Sequence, residues 1–296
     1  MAGFAAENSG LEVPAEWRQI APKDLHGVVM ILGASDTGKS TLAAYLANLL
    51  AAEGKLVGFL DGDPGQGILG PPATMTLALG KEPGASPFKG ARVWRWFVGS
   101  VTPRRHMLPL VVGAQRLAQA AFQAGADVLI YDTTGLIDPN QGGGALKLAK
   151  IDLIRPSAII AIQAARELEY ILMPLRRLSG LKLIELPPSP AVHPRSREDR
   201  QGNRAKRLKA YFQNAREMEI FWPRMAVIPS PHFSPDRLVA FEGSAGSAQA
   251  LGIVVDEERK IRQATFLTPL GSLQDIEVIR VGDLKVDRVT FRDESL

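Results

Sequence analysis

The stretch Gly33-Ala34-Ser35-Asp36-Thr37-Gly38-Lys39-Ser40 decides the fold of this 296-residue chain. It matches in full the pattern G-x-x-x-x-G-K-[S/T], in which glycines let successive backbone N–H groups curl around phosphate oxygens. An apolar run (27–32) precedes it, and an Ala- and Leu-rich run (40–50) follows. Because the pattern requires a strand, the loop and a helix in this order, we expect a phosphate-binding loop at the start of a helix.

The same loop predicts a bound nucleoside triphosphate. We expect the Lys39 ammonium to reach the β- and γ-phosphates and the Ser40 hydroxyl to ligate Mg²⁺. The loop residues predicted to bind nucleotide are Gly33, Ala34, Ser35, Asp36, Thr37, Gly38, Lys39, Ser40 and Thr41. No N-K-x-D-like element that would select guanine follows the apolar run 158–162, so either ATP or GTP is an expected phosphate donor.

Short apolar runs alternate with helical segments beyond the loop. Strands are predicted at 27–32, 56–60, 93–98, 128–131, 158–162 and 181–186, and helices at 40–50 and 110–122. Strands that alternate with helices form parallel sheets with right-handed crossovers. The predicted fold class is therefore α/β, a P-loop NTPase with a mostly parallel sheet flanked by helices and a small C-terminal β-rich domain.

The domain boundaries follow a Pro-rich hinge, PPSP at 187–190, and a change to β-rich sequence near residue 224. The predicted parts are an N-terminal surface arm (1–24), a P-loop domain (25–222) that includes an Arg-rich lid (about 193–216), and a C-terminal β-rich domain (223–296). Two hairpins are expected in the last domain, one around Asp256–Glu258 and one around Gly282–Asp283.

Composition excludes several classes of protein. Hydrophobic residues make up 46% and charged residues 22%, which is unlike a disordered, collagen-like or coiled-coil chain. No apolar run approaches eighteen residues, so no membrane span is expected. The chain has no cysteine, which excludes disulfides and thiolate zinc sites. Since its start lacks the pattern of a secretory signal, we expect a cytoplasmic enzyme.

Carboxylates follow two of the predicted strands. Asp63 comes after the run 56–60, and Asp132 comes directly after 128–131. Ligands gather beyond the carboxyl ends of parallel strands, so both side chains are expected near the phosphates. A carboxylate at Asp63 could accept a proton from an attacking hydroxyl or hold Mg²⁺ through water, although the DPG sequence also suits a simple turn. Asp132 is expected to contact a metal ion or water.

Basic residues are concentrated in two places. Between 193 and 216 there are eight Lys and Arg against two acids, and between 89 and 105 five against none. Such patches indicate phosphate docking. Arg104 and Arg105, after Pro103, are predicted nucleic-acid contacts. The alternating VWRWFV (93–98) is interpreted as a half-buried strand in preference to a base-stacking platform, and His106 as a hydrogen-bonded loop residue.

These features together resemble one family, the polynucleotide 5′-hydroxyl kinases. This family includes the kinase subunit of the pre-mRNA cleavage complex, the nucleolar rRNA-processing kinases and smaller prokaryotic relatives. The blocks that carry the resemblance are GASDTGKST (33–41), DGDPGQG (61–67), FVGSVTP (97–103), DTTGL (132–136) and RSREDRQGNRAKRLKAYF (195–212). The similarity extends from about residue 27 to the end of the chain.

The resemblance implies roles for single residues. Asp63 would activate the 5′-hydroxyl, and Gln66 would lie near the metal and the attacking group. Arg195 and Arg200 would belong to a lid over the phosphates, and Thr133 and Gly135 to a clasp around them. The expected metal ligands are then Ser40, Asp63, Gln66 and Asp132. The chain departs from eukaryotic members in having Leu136 where they have Trp and Asp132 where they often have Asn.

The lid segment also has a physical pattern of its own. Ser196 followed by Asp199 is typical of a helix start. An apolar set recurs at helical spacing and is expected to pack inward, namely Leu208, Tyr211, Phe212 and Ala215. A basic set recurs on another face, namely Arg200, Arg204 and Arg207. Guanidinium groups chelate phosphate oxygens, so this face predicts phosphate contacts, with Arg204 assigned to nucleic acid.

The function predicted is an ATP- or GTP-dependent, Mg²⁺-dependent kinase that phosphorylates the 5′-hydroxyl end of RNA or DNA. One alternative is a nucleotide-binding switch or assembly subunit of an RNA-processing complex, a possibility raised by the switch-like DTTG (132–135). Another is a small-molecule kinase. The sequence leaves the choice between RNA and DNA, the RNA-processing partners and the oligomeric state open.

Overall fold

The structure, a computed structural model, describes residues 13–81, 90–244 and 246–296. The chain forms two units. The first comprises 1–63, 76–93 and 110–194, and the second comprises 64–75, 94–109 and 195–296.

The helices are α1 (Ala15–Arg18), α2 (Lys39–Ala52), α3 (Met107–Gln123), α4 (Gly143–Ile154), α5 (Glu169–Leu175) and α6 (Arg197–Tyr211). The strands of the N-terminal half are β1 (Gly27–Gly33), β2 (Val57–Asp61), β3 (Thr74–Gly80), β4 (Arg92–Phe97), β5 (Val128–Asp132), β6 (Ala158–Ile162) and β7 (Lys182–Leu186). Those of the C-terminal half are β8 (Arg216–Phe221), β9 (Ala226–Ile228), β10 (Arg237–Glu242), β11 (Ala248–Glu258), β12 (Gln263–Thr268), β13 (Val278–Val286) and β14 (Asp293–Ser295).

The first unit contains a sheet in the order β3-β2-β5-β1-β6-β7. The pairs β2–β5, β5–β1, β1–β6 and β6–β7 are parallel. The central strands are buried on both faces, which explains why their sequences are continuous apolar runs. The fold class predicted from the sequence is confirmed, and all six predicted strands are present.

One strand of this sheet was not predicted from the sequence. β3 pairs antiparallel with β2, with Val57 opposite Gly80 and Asp61 opposite Thr76. Its sequence, TMTLALG, lies between the turn-forming Pro71–Pro72 and a Gly- and Pro-rich segment, and it follows β2 without an intervening helix. Strands were predicted where apolar runs alternate with helical segments, so a strand that follows another strand without a helix between them was not predicted.

The N-terminal segment was predicted to be a surface arm, but part of it is buried. Within its described part, Trp17 on α1 is only 3% exposed. Its ring lies 5.8 Å from the ring of Tyr45 on α2. Residues 1–12 lie outside the described part of the chain. This contact could not be predicted from the sequence because α1 is only four residues long and has no periodic pattern.

The second unit contains a largely antiparallel sheet in the order β14-β13-β10-β11-β12-β8, and β9 pairs parallel with β13. Alternate residues of β10 belong to two different apolar clusters: Val239 and Phe241 to one, Leu238 and Ala240 to the other. Because successive strand residues point to opposite faces, this sheet has apolar packing on both sides.

The helix α6 covers one face of this sheet. Ser196 caps it by accepting a hydrogen bond from the Asp199 N–H, and the Asp199 carboxylate accepts one from the Ser196 N–H. Leu208 and Phe212 are buried in the sheet cluster, with Tyr211 and Ala215 packed against it. The predicted cap and the predicted apolar face are therefore confirmed.

The two units do not follow the predicted linear domains. Residues 195–222 were predicted to belong to the P-loop domain, but they pack with the C-terminal sheet. Ala73 and Phe97 belong to the same cluster as Leu208 and Phe212, which explains why 64–75 and 94–109 join the second unit. Phe97 is 1% exposed, in agreement with the interpretation of VWRWFV as strand and core.

The predicted hairpins need correction. A hairpin does join β11 and β12, but its turn lies at 259–262 and not at Asp256–Glu258. No turn occurs at Gly282–Asp283, because β13 runs through both residues. A Cβ atom on Gly282 would lie 2.9 Å from the Gly99 carbonyl oxygen and from the Phe97 ring. Glycine is needed at this position because two backbones approach each other closely there. The sequence alone does not distinguish such a glycine from one in a turn.

We expect Gly282→Ala to lower the free energy of unfolding by about 1–3 kcal/mol, because the added methyl group forces apart the backbones at Gly99 and Gly282. Urea denaturation of the full chain measures the change. Gly271→Ala is the matched control, since its Cβ would enter open space. Equal midpoints for the two variants would contradict the close-contact explanation.

Candidate phosphate-binding site

The predicted phosphate loop connects β1 to α2. The strand ends at Gly33, and Gly38 at φ 93° is the N-terminal cap of α2. A Cβ on Gly33 would lie 2.8 Å from Thr37 Oγ1 and 2.9 Å from the Ile162 carbonyl oxygen, so only glycine fits there. The Lys39 ammonium donates to the Ala34 carbonyl oxygen, and so does the Thr37 hydroxyl at 3.0 Å. The loop is thus closed on itself at the N-terminus of a fourteen-residue helix.

Two carboxylates lie at the adjacent edge of the same sheet. In the parallel register Asp132 pairs with Ile31 on one side and with Asp61 on the other. Asp61 is 2% exposed and Asp132 is 1% exposed. The Ser40 hydroxyl donates to Asp132 Oδ2 at 2.5 Å. Strand pairing alone therefore brings the loop and both acids together.

The environment of Asp132 raises the pKa of its carboxyl group. Burial raises the pKa of this carboxyl group to about 7, and the negative charges of Asp61 and Asp63 add to the rise. The Lys39 ammonium and the Ser40 hydrogen bond oppose it. A positive ion bound here would reverse the balance, because it stabilises the carboxylate.

The site fits a Mg²⁺ ion. Asp132 Oδ1 is buried and has no hydrogen-bond partner among the described residues, while Oδ2 is held beside the Ser40 hydroxyl. Mg²⁺ typically takes one or two carboxylates and completes its shell with substrate phosphates and water. In the described part of the chain no group of three His, Asp or Glu side chains could hold a metal ion alone. A metal that arrives with a nucleotide matches this donor set.

Asp63 lies two residues beyond the end of β2. The Gly62 N–H donates to the Asp132 carbonyl oxygen at 2.9 Å, which fixes the chain just before Asp63. Asp63 itself is half-buried. Gln66, the other predicted residue of this segment, belongs to the second unit, where its amide donates to the Gly65 carbonyl oxygen.

The segment 133–135 contacts the phosphate loop directly. The Thr133 hydroxyl donates to the Ile31 carbonyl oxygen of β1 at 2.7 Å. A Cβ on Gly135 would lie 2.6 Å from the Ser35 backbone nitrogen and 2.7 Å from its Cα. Gly135 thus lies against the loop and Thr133 against β1, and their role as a clasp around the phosphates stays a prediction.

Two buried lysines were missed by the sequence analysis. Lys147 and Lys150 on α4 are both 0% exposed. Burial, Lys150 and Lys39 lower the pKa of Lys147 well below its usual value, and burial lowers the pKa of Lys150 to about 7. Asp63 opposes both shifts. A signal was available, since the two lysines are three residues apart in the otherwise apolar run ALKLAKI (145–151).

The predicted arginines all lie in the second unit. Arg195 precedes α6 and is exposed, and Arg200 lies on its first turn. Arg204 forms two hydrogen bonds to the Asp293 carboxylate, at 2.9 and 3.0 Å, and joins α6 to β14. Arg104 and Arg105 are exposed on a loop. The lid role of Arg195 and Arg200 stays a prediction, and so does the nucleic-acid role of Arg104, Arg105 and Arg204.

His106 has the hydrogen bonds expected of a loop residue. Its ring nitrogens lie 2.9 Å from the Arg104 carbonyl oxygen and 3.0 Å from Asp283 Oδ2. Arg207, of the predicted basic face, donates to the Gly70 carbonyl oxygen. Lys89 of the second basic stretch lies outside the described residues.

The fold and the loop define a P-loop nucleotide-binding protein. The family described as mRNA cleavage and polyadenylation factor CLP1 P-loop matches residues 33–214. This chain belongs to that family. No helix among the described residues is long and apolar enough to cross a membrane.

Similar proteins are found among archaeal enzymes. The polyribonucleotide 5′-hydroxyl-kinase of Pyrococcus furiosus is 37% identical over 191 residues, which are 64% of this chain and 51% of that protein. The enzyme of the same name from Methanocaldococcus jannaschii is 35% identical over 218 residues, 72% of this chain and 58% of that protein. The chain spans about half the length of the curated relatives it matches.

A solved structure shares the fold. The Clp1p chain of the complex of wild-type Clp1p with Pcf11p (454–563) superposes with a TM-score of 0.66 at 13% identity, covering 87% of this chain and 74% of that chain.

We expect Gly135→Ala to weaken Mg·ATP binding by about tenfold or more, because the methyl group would displace the Ser35 backbone in the phosphate loop. Isothermal titration calorimetry with a non-hydrolysable ATP analogue measures the affinity. Gly271→Ala, which enters open space, is the control. An unchanged affinity in Gly135→Ala would contradict the described contact.

We expect Lys150→Met to stabilise the protein increasingly as the pH falls from 9 to 7. The usual lysine pKa is 10.5, whereas burial lowers that of Lys150 to about 7, so the unfolded chain binds more protons in this window. Lowering the pH therefore reduces the free energy of unfolding of the wild type by up to about 1.4 kcal/mol per pH unit. The methionine variant avoids this loss. Urea denaturation at several pH values checks this, and identical pH slopes would count against it.

Proposed function

We propose that this protein is a P-loop kinase that transfers the γ-phosphoryl group of ATP or GTP to the 5′-hydroxyl end of RNA or DNA. The observation that carries the proposal is the convergence of the phosphate loop, Asp132 and the segment containing Asp63 at one edge of the first sheet. The family and the names of the archaeal relatives favour the same activity.

Asp63 is assigned the role of general base. Phosphoryl transfer needs little covalent chemistry from the protein, so positioning and charge stabilisation dominate. Asp63 follows β2 at the sheet edge and is half-buried, so part of its side chain is accessible from solvent. It would accept the proton of the 5′-hydroxyl as the oxygen attacks the γ-phosphorus, and the nucleoside diphosphate leaves with the bridging oxygen.

The nucleotide would lie in the loop 33–41 with Thr133 and Gly135 against it. Lys39 would leave the Ala34 carbonyl oxygen to bind the β- and γ-phosphates. Ser40 and Asp132 would hold Mg²⁺, with Asp63 and Gln66 as the further predicted contacts. The metal, when bound, neutralises charge on the phosphate oxygens.

The second unit supplies the remaining predicted residues. Arg195 and Arg200 are assigned to the transferring phosphoryl group, where an arginine typically contributes about 10³–10⁵ in rate. Arg104 and Arg105 are exposed and are assigned to the nucleic-acid backbone. For Arg204, whose guanidinium binds Asp293, the predicted nucleic-acid role requires that it contact phosphate while keeping this ion pair. Interaction with RNA-processing partners and a cytoplasmic location remain predictions from the sequence.

We expect the full chain to transfer labelled γ-phosphate to 5′-hydroxyl oligonucleotides, and Asp63→Asn to lower the rate by about 10²-fold or more because the general base is lost. Oligoribonucleotides and oligodeoxyribonucleotides are compared with free nucleosides, which tests the small-molecule alternative. Product is read by gel electrophoresis.

Asp152→Asn is the matched control, since Asp152 is an exposed carboxylate on α4 in the same unit. Transfer by Asp63→Asn at the wild-type rate would exclude Asp63 as the base. If the folded protein binds nucleotide but labels no acceptor, the nucleotide-binding switch replaces the kinase proposal.

A further inference from the structure

The side-chain hydrogen bonds of Lys147 go to one short segment, residues 133 and 134. Its Nζ donates to Thr133 Oγ1 at 2.9 Å, to Thr134 Oγ1 at 3.1 Å and to the Thr134 carbonyl oxygen. A lysine Nζ has at most three N–H donors, and its three contacts all go to residues 133 and 134. The side chain is 0% exposed, and burial of a polar group is costly unless hydrogen bonds replace those it loses to water.

The segment held by Lys147 is the one that contacts the phosphate loop. Thr133 Oγ1 accepts from Lys147 and donates to the Ile31 carbonyl oxygen, so this hydroxyl links α4 to β1. One residue beyond Thr134, Gly135 lies against the Ser35 backbone with no room for a side chain. A chain of contacts therefore runs from α4 through 133–135 to the backbone of Ser35 in the loop.

Lys150, one helical turn further on, differs in this respect. It is equally buried, but its Nζ has no hydrogen-bond partner among the described residues and lies 5.2 Å from the centre of the Tyr131 ring. Burial of a lysine on α4 is therefore separable from attachment to the segment 133–135. The two side chains provide an internal comparison within one helix.

We propose that Lys147 is a positioning residue for nucleotide binding, which acts by fixing the segment 133–135 against Ser35 of the phosphate loop. The inference rests on the proposed function only in requiring that the loop bind a nucleoside triphosphate. Its physical basis is that binding is strong when donors are held in place before the ligand arrives.

Lys147→Met keeps the approximate length of the side chain and removes the three donors. The Thr134 carbonyl oxygen then loses its buried partner, so the segment is free to turn toward other donors and away from Ser35. The dissociation constant for a non-hydrolysable ATP analogue with Mg²⁺ is expected to rise about tenfold or more, measured by isothermal titration calorimetry. Lys150→Met is the matched control and is expected to change the constant by less than about twofold.

A second readout separates positioning from general destabilisation. In the phosphoryl-transfer assay the KM for ATP is expected to rise in Lys147→Met, while the KM for the oligonucleotide acceptor stays within about twofold. A merely structural defect would lower the amount of active protein and leave both KM values unchanged. That result, or an unchanged dissociation constant in folded Lys147→Met, would overturn the proposal.

A milder variant covers the case in which Lys147→Met does not fold. Thr134→Val removes one acceptor of Lys147 and leaves the backbone intact, and it is expected to weaken nucleotide binding by about threefold to tenfold. Where Lys147→Met does fold, the effect of Thr134→Val should largely vanish in that background in a double-mutant cycle. Full additivity, or no effect of Thr134→Val, would refute the link. Because binding is measured without transfer, a wild type that binds nucleotide but phosphorylates nothing would refute only the kinase proposal.

Discussion

The parallel pairing of β5 with β1 and β2 is the constraint on which the candidate site depends. It places Asp132 beside Ile31, two residues before the end of β1, and beside Asp61 at the end of β2. A shift of two residues in either pair would move Asp132 about 7 Å along the strand, away from the Ser40 hydroxyl. The apolar, doubly buried strands fix this register because any slip would also expose or misplace core side chains.

The second determinant is the balance of buried charge at this edge. Asp61 and Asp132 are almost fully buried, and so are the side chains of Lys39, Lys147 and Lys150. Isolated charges in such surroundings carry a high desolvation cost, which shifts the pKa of Asp132 up and those of the two α4 lysines down.

Much of the first unit could be predicted from the sequence because its signals are local. The phosphate loop is a contiguous motif, and the central strands are unbroken apolar runs. The acids Asp63 and Asp132 were found because they follow those runs. The position of β3 could not be predicted, since its antiparallel pairing depends on β2 and not on its own pattern. Lys147 was missed because its partners are fourteen and thirteen residues away, and a lysine on a helix is ordinarily solvated.

The C-terminal half was harder to predict for the same reason. Gly282 and Asp283 have the composition of a turn, yet they lie within β13 because the Gly99 backbone approaches there. The residues of the predicted lid follow a helical pattern that the sequence shows clearly. The cluster in which they pack also contains residues of the C-terminal sheet and two residues that are far away in the chain, Ala73 and Phe97.

The path of the chain between the two units limits how the gene can be divided. The backbone passes from one unit to the other after residues 63, 75, 93, 109 and 194. Neither unit is encoded by one uninterrupted stretch. A gene fragment that ends at one boundary would therefore expose apolar surface that the missing parts of the same unit normally cover. No single cut of the gene therefore yields two complete units.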